Sequence, residues 1–221
     1  MCGRYNLFSE LQTIAERFDC INREQLELIP RYNIAPGQDI LAIKSEGGSK
    51  EAALMRWGLI PGWANDPKIG YKMINARAES VDEKPTFKGL IKSNRCIIIA
   101  DGFYEWKRDG ERKQPYHIQL KDKEPFAFAG LYSKWNSGGK AIYTCTIITT
   151  EANELMEGIH HRMPVILNRE DEETWLDNHE LDHNQLQKLL VPFESSEMMS
   201  YPISTIVNNA RNEGKEIINS L

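Results

Sequence analysis

The sequence predicts an α+β fold, a single β-rich domain with a mostly antiparallel sheet and peripheral helices, and three observations carry the prediction. Short runs rich in β-branched and aromatic residues dominate the chain after its first helix, many of them bounded by Gly, Pro, Asn or Asp. Strands and helices do not alternate regularly, which argues against a sheet built of βαβ units. With 221 residues, 41% of them apolar, the chain suits one domain or two small lobes around a substantial core.

The elements follow in order. Ser9 and Gln12 have the spacing of a capping box ahead of Leu11, Ile14 and Phe18, which mark one helical face, so a short helix is expected to run to about Phe18. Strands are expected at Asp39–Lys44, Ala52–Trp57, Cys96–Ala100, Tyr116–Leu120, Phe126–Tyr132, Ala141–Thr149 and Val165–Leu167. Thr86–Ile91, Glu151–Glu157 and two acidic stretches near 170–178 and 183–190 read as helical. No repeat, low-complexity segment or clear linker cuts the chain, so residues 1–221 are expected to form one domain.

Composition narrows the function. No long apolar run is present, so no membrane partner is expected. Four cysteines, irregularly spaced at 2, 20, 96 and 145, do not make a disulfide framework, and no basic, apolar leader is seen. The expected location is therefore a reducing cytoplasm, at the nucleoid when bound to DNA, or a nucleus in a eukaryote. The net charge of −5 hides an asymmetry: Lys84–Lys113 holds eight Lys/Arg against four acids, whereas Glu170–Glu197 holds nine acids against one lysine. Ordinary solvated faces and a local phosphate-binding groove both fit this pattern.

Cys2 is the residue with most chemistry to offer. Removal of Met1 would make it a 1,2-aminothiol, whose α-amine, with a reference pKa of about 7.7–8.0, is far more often neutral than a lysine amine. The pair can condense with an aldehyde to an imine and close to a thiazolidine, or attack an acyl carbon. Four polar clusters flank predicted strands: Asn75-Ala76-Arg77-Ala78-Glu79, Asp101-Gly102-Phe103-Tyr104-Glu105-Trp106, Thr149-Thr150 and His160-His161-Arg162-Met163-Pro164. With Cys2 they supply the nucleophile, amide, carboxylate, imidazole and guanidiniums that acid–base chemistry at a carbonyl needs. Glu105 stands between Tyr104 and Trp106, which would desolvate it and raise its pKa. Trp63, beside Gly-Pro turns, reads equally as a base-stacking surface and as a lid on a core edge.

Six motifs in order resemble the SRAP family, the SOS-response-associated peptidases. They are Cys2-Gly3-Arg4-Tyr5, Arg31 through Gly37, Trp57-Gly58-Leu59-Ile60-Pro61, Ile74 through Glu79, Gly102 through Trp106, and His160 through Pro164, and the likeness runs from Cys2 to about Asn212. The resemblance implies a barrel-like sheet and a sensor of abasic sites in single-stranded DNA, shielding each lesion by a thiazolidine cross-link through a mature terminal cysteine. Carried over, it implies Cys2 as cross-linking nucleophile, Asn75 as a holder of the lesion, Glu105 as acid–base residue and His160 as an aid to imine chemistry and reversal. It also implies Arg4, Arg77 and Arg162 at phosphates, Trp63 and Trp106 along the DNA channel, and Thr149 among the DNA-binding residues. Abasic single-stranded DNA is the expected partner, with proteins of the replication fork beside it. No metal or cofactor is expected, and a monomer is. Where the family pattern has an aspartate after the histidine this chain has His161, which puts the rate of reversal in question.

Rival readings stand beside this one. Cys2 could serve an N-terminal-nucleophile hydrolase with self-removal of Met1, or the chain could be a non-covalent reader of modified DNA. His179-Glu180-Leu181-Asp182-His183 fits the H-E-x-x-H zinc pattern, but it lies in the most acidic stretch and no third ligand follows.

Overall fold

The computed structural model describes residues 2–21, 25–177 and 181–221. Twelve strands form among them: β1 Tyr5–Leu7, β2 Arg31–Ile34, β3 Asp39–Glu46, β4 Ser49–Trp57, β5 Asn75–Arg77, β6 Arg95–Ala100, β7 Gly102–Asp109, β8 Arg112–Leu120, β9 Phe126–Ser137, β10 Lys140–Glu151, β11 Arg162–Pro164 and β12 Met198–Pro202. The helices are α1 Leu11–Phe18, α2 Pro85–Lys88, α3 Leu90–Ser93, α4 Glu154–Glu157, α5 Arg169–Leu176 and α6 His183–Leu189.

Five strands close on themselves in the order β10, β4, β3, β6, β9, and β9 pairs back onto β10 through the long hairpin that joins them. Every pairing in this ring is antiparallel except β4 with β10, which meet in parallel at Thr144 opposite Arg56 and Cys145 opposite Trp57. The barrel-like sheet implied by the family resemblance is thus present as a closed barrel, with no free edge among its five strands. All six residues of β6 are buried, which is why Cys96–Ala100 reads as a continuous apolar run rather than an alternating one. Gly130 of β9 sits where strands crowd, since a Cβ there would stand 2.9 Å from Ile98 Cδ1 and 3.1 Å from Thr146 O. Large side chains such as Trp57, Phe128 and Met55 are almost wholly enclosed. Each contributes roughly 1.5–3 kcal/mol of apolar burial.

The second sheet runs β12, β8, β7, β1, β2, all antiparallel. A single residue, Asp101, separates β6 from β7 and so carries the chain from one sheet to the other. Its carboxylate accepts from the amides of Phe8 and Ser9 at 2.6 and 2.7 Å and from the Ser9 hydroxyl at 2.5 Å. That use of Ser9 replaces the expected capping box: α1 begins after Glu10, with no side-chain cap. A continuous apolar core includes Cys2, with Tyr5, Phe103 and Ile118 from the second sheet, together with the barrel residues.

Other expectations shift at their edges. The helix expected over Thr86–Ile91 is two single turns, α2 and α3, divided at Gly89. Glu151 ends β10, and α4 starts only after Asn153, whose side chain accepts from the Met156 amide at 3.0 Å. The strand expected at Val165–Leu167 lies three residues earlier, at β11, leaving only an isolated bridge from Ile166 to Phe128. The acidic helices appear as α5 and α6, the latter with a complete capping box of Asp182 and Gln185. No described helix is long and apolar enough to cross a membrane.

Candidate functional site

The candidate site lies where the two sheets meet. Cys2 and Arg4 precede β1, an interior strand of the second sheet, and the Arg4 carbonyl accepts from the Tyr104 amide at 2.9 Å, holding the terminus alongside β7. Glu105 comes from β7. Asn75 opens β5, which lies parallel to β10 of the barrel with Asn75 opposite Ile147. His160 sits in the turn between α4 and β11. Residues from four distant parts of the chain therefore converge through strand pairing.

The Asn75 amide nitrogen donates to the Cys2 carbonyl at 2.8 Å, tying the terminus to the barrel. Its amide oxygen is buried with no hydrogen-bond partner among the described residues. An unsatisfied buried acceptor of this kind costs about 1–3 kcal/mol, and a donor brought by a ligand would recover it. Cys2 is fully buried, and burial, reinforced by the Glu105 carboxylate, pushes its thiol far above the ordinary cysteine range. Glu105 is itself buried, and its pKa rises to about 7 chiefly because burial disfavours the charged form.

Glu105 forms part of a cleft of about 560 Å3 lined also by Trp106, Arg108, Lys113, His160 and Asn208. The Trp106 indole donates to the Asn208 side chain at 2.7 Å, which fixes one wall. His160 Nδ1 lies 3.0 Å from the Arg162 amide, and its ring stacks on His161 with centroids 4.4 Å apart. Burial lowers the His160 pKa, and the neighbouring His161 and Arg108 push it the same way. The stack explains in physical terms what a histidine in the place of an acid does here.

The three arginines differ in what they are free to touch. Arg77 is exposed on β5. Arg4 is half-buried, and its Nη1 donates to Asn33 Oδ1 and to the Val207 carbonyl, each at 2.7 Å. Arg162 is bonded through both terminal nitrogens to Glu79 and donates to the Thr149 carbonyl at 2.5 Å. Partial burial opposes the charge on Glu79, but Arg162 outweighs it and holds that carboxyl below its usual value. Thr149 is wholly buried, its hydroxyl turned to the Ala76 carbonyl at 3.3 Å. Arg4, Arg162 and Thr149, expected to touch DNA, thus each make hydrogen bonds within the fold.

Trp63 is 70% exposed and lines no part of the cleft, whereas Trp57, in the same motif, is a core side chain that donates to the Ile74 carbonyl. His179 and Glu180 of the zinc pattern lie outside the described residues, and His183 pairs with Asp82 at 2.6 Å. Three cleft residues escaped individual notice in the sequence. Arg108 and Lys113 entered only as members of a basic stretch, and Asn208 carries no signal, since nothing local to it announces Trp106.

A closed barrel joined to a second sheet, with the buried Cys2 close to the buried Glu105 where the two meet, defines a small α+β protein with a polar cleft at the junction of its sheets. The chain belongs to the SOS response associated peptidase (SRAP) family, whose model matches residues 1–210. It is 53% identical over 226 residues to the abasic site processing protein YoqW of Bacillus subtilis, covering all of both chains. It is 31% identical over 227 residues to the abasic site processing protein YedK of Escherichia coli, covering 99% of each. Among solved structures, a protein from Bacteroides thetaiotaomicron superposes over the full length of both chains with a TM-score of 0.90 at 30% identity.

Proposed function

We propose that this protein captures abasic sites in single-stranded DNA, linking itself covalently to the lesion through Cys2 once Met1 has been removed. The observation that carries the reading is the placement of Cys2 between the Asn75 amide, 2.8 Å from its carbonyl, and the buried Glu105. Family membership and relatives named as abasic site processing proteins support the same chemistry.

Hydrolysis of the Met1–Cys2 peptide bond consumes one water and frees the Cys2 α-amine. The lesion is mostly a closed hemiacetal. Glu105, titrating near neutrality, protonates the ring oxygen as the anomeric hydroxyl loses its proton, which opens the sugar to its aldehyde. The amine adds to the aldehyde carbon and the resulting carbinolamine loses water to give the imine; a protonated Glu105 assists the leaving hydroxyl. The Cys2 thiol then adds across the C=N bond, forming the C–S bond while its proton ends on nitrogen, and the thiazolidine is complete. The order, amine before thiol, follows from the buried thiol's raised pKa: a protonated thiol is a poor first nucleophile but closes an adjacent ring readily. That property also favours capture over a thiolate hydrolase, which needs a lowered thiol pKa.

Asn75 offers its unpartnered amide oxygen to a sugar hydroxyl, His160 in its neutral form relays protons during imine formation and reversal, and exposed Arg77 holds a phosphate. The test is intact mass and a denaturing gel after mixing processed protein with an oligonucleotide bearing one abasic site. A heat-stable adduct is expected at one protein per lesion, absent with undamaged DNA and absent with Cys2→Ala. No adduct from protein whose mass shows that Met1 is gone would sink the reading.

A further inference from the structure

The β7–β8 hairpin carries one rung of charge that the fold does not explain. Residues directly opposite across an antiparallel ladder share a face and lie about 4.5–5.5 Å apart at Cβ. At the tip Asp109 faces Arg112, a complementary pair, and Lys107 faces the neutral Gln114. Between those rungs Arg108 faces Lys113. Like charges so placed repel, and among the described residues neither cation has an ion-pair partner. Both are exposed, and both line the cleft that holds Glu105 and His160.

The surroundings say what would fill the space between them. Trp106 lies two residues before Arg108 and so on the same face of the strand, its ring held by Asn208. Arg108 also lines the adjoining hollow with Trp106, His160 and His161, so the cation stands between two connected depressions. A cationic rung beside an aromatic face matches a nucleic-acid strand, whose phosphates satisfy the charge and whose bases stack without regard to sequence. An acidic peptide would meet the cations but would leave Trp106 without a planar partner.

We propose that Arg108 and Lys113 form a phosphate clamp at the mouth of the cleft, holding the phosphodiester backbone of the DNA strand next to the lesion. The proposal rests on the DNA-capture reading above and adds to it the site that grips the strand before any bond forms. Arg108 supplies a planar fork to one phosphate and Lys113 a point charge to the same or the next.

The experiment measures non-covalent affinity of the full-length protein for undamaged oligo-dT by fluorescence anisotropy over a range of salt concentrations. Wild type, R108Q/K113Q and a charge-matched remote variant, K121Q/K140Q, are compared. Each phosphate contact on a single strand adds about 0.7 to the steepness of log K against log salt, so losing both should reduce it by about 1.4. The remote variant is expected to keep the wild-type slope, and R108Q/K113Q to reach the same final adduct yield at saturating abasic DNA while reacting more slowly below saturation. A slope in R108Q/K113Q equal to wild type, or an equal fall in K121Q/K140Q, overturns the clamp. Failure of wild type to form an adduct, with the slopes still separated, would instead overturn lesion capture and leave the clamp as a DNA site.

Discussion

Glu105 is the residue on which the proposed chemistry turns, because burial brings its pKa to about 7, where acid and base forms coexist at neutral pH. As an acid it is lost above that value, while the terminal amine becomes neutral near its reference of about 7.7–8.0. Adduct formation by processed protein is therefore expected to follow a bell in pH with its maximum between these two. Glu105→Gln should lower the rate about a hundredfold or more and abolish the alkaline limb, measured by quenched gel time courses. An unchanged alkaline limb would remove Glu105 from the role. His160 is held below the ordinary histidine value by burial, with His161 and Arg108 contributing. A carboxylate in place of the stacked ring would favour the imidazolium, so His161→Asp is expected to raise the His160 pKa in an NMR titration and to move adduct reversal to a correspondingly different pH range.

The element that organises the site is β7. It pairs with β1 on one side and β8 on the other, and it presents Tyr104 and Glu105 side by side to different surroundings. Its first residue, Gly102, must lack a side chain, since a Cβ there would meet His117 Nε2 at 2.3 Å and the Ile118 carbonyl at 2.9 Å. Gly102→Ala is expected to destabilise the fold by about 1–3 kcal/mol, read as a lower urea midpoint at unchanged slope. A midpoint equal to wild type would show that β8 yields freely. The loop after β12 is set from a distance: Asn33 of β2 donates to the Val207, Asn209 and Asn212 carbonyls at 2.9–3.3 Å, and the loop so fixed carries Asn208 to Trp106. The clamp on the β7–β8 hairpin faces that same wall.

At the scale of the whole molecule, two buried titratable groups oppose each other in acid stability. His117 is buried in a network that fixes its tautomer: Tyr201 donates to the Ile218 carbonyl, so His117 Nδ1 donates to Tyr201, and Nε2 accepts from Asn6. Burial lowers its pKa from 6.5 to about 3, so the unfolded chain takes up a proton that the folded one refuses and stability falls as pH drops from 6.5 toward 3. Glu105, raised from 4.5 to about 7, does the reverse: its contribution is full below 4.5 and is lost as pH rises through 7. From these two groups, stability should stay level between 4.5 and 6.5 and decline below 4.5. In Glu105→Gln the decline should begin near 6.5, at about 1.4 kcal/mol per pH unit, in urea titrations across pH. The same onset in both proteins would refute the opposition.

The strands of the barrel were legible in the sequence because a strand buried on both faces writes itself as an unbroken apolar run, as in Cys96–Ala100. The short or polar strands were not: Tyr5–Leu7, Arg31–Ile34, Gly102–Asp109 and Met198–Pro202 of the second sheet, and Asn75–Arg77 beside the barrel, extend only because partners far along the chain accept their hydrogen bonds. The groups that the proposed chemistry uses, Cys2, Asn75, Glu105 and His160, were likewise named from residue type and motif, since reactivity at a carbonyl requires such groups. Which cations are engaged, by contrast, depended on the meeting of distant segments: Arg4 and Arg162 are engaged by Asn33 and Glu79, while Arg108 and Lys113 stand opposed without an ion-pair partner among the described residues. The sequence by itself determined the family, the apolar strands and the candidate reactive groups, because these reside in local pattern and side-chain identity. Tertiary structure alone decided burial, and with it the pKa of Glu105 and the open cations of the cleft, because desolvation and pairing are set by neighbours that no local window contains.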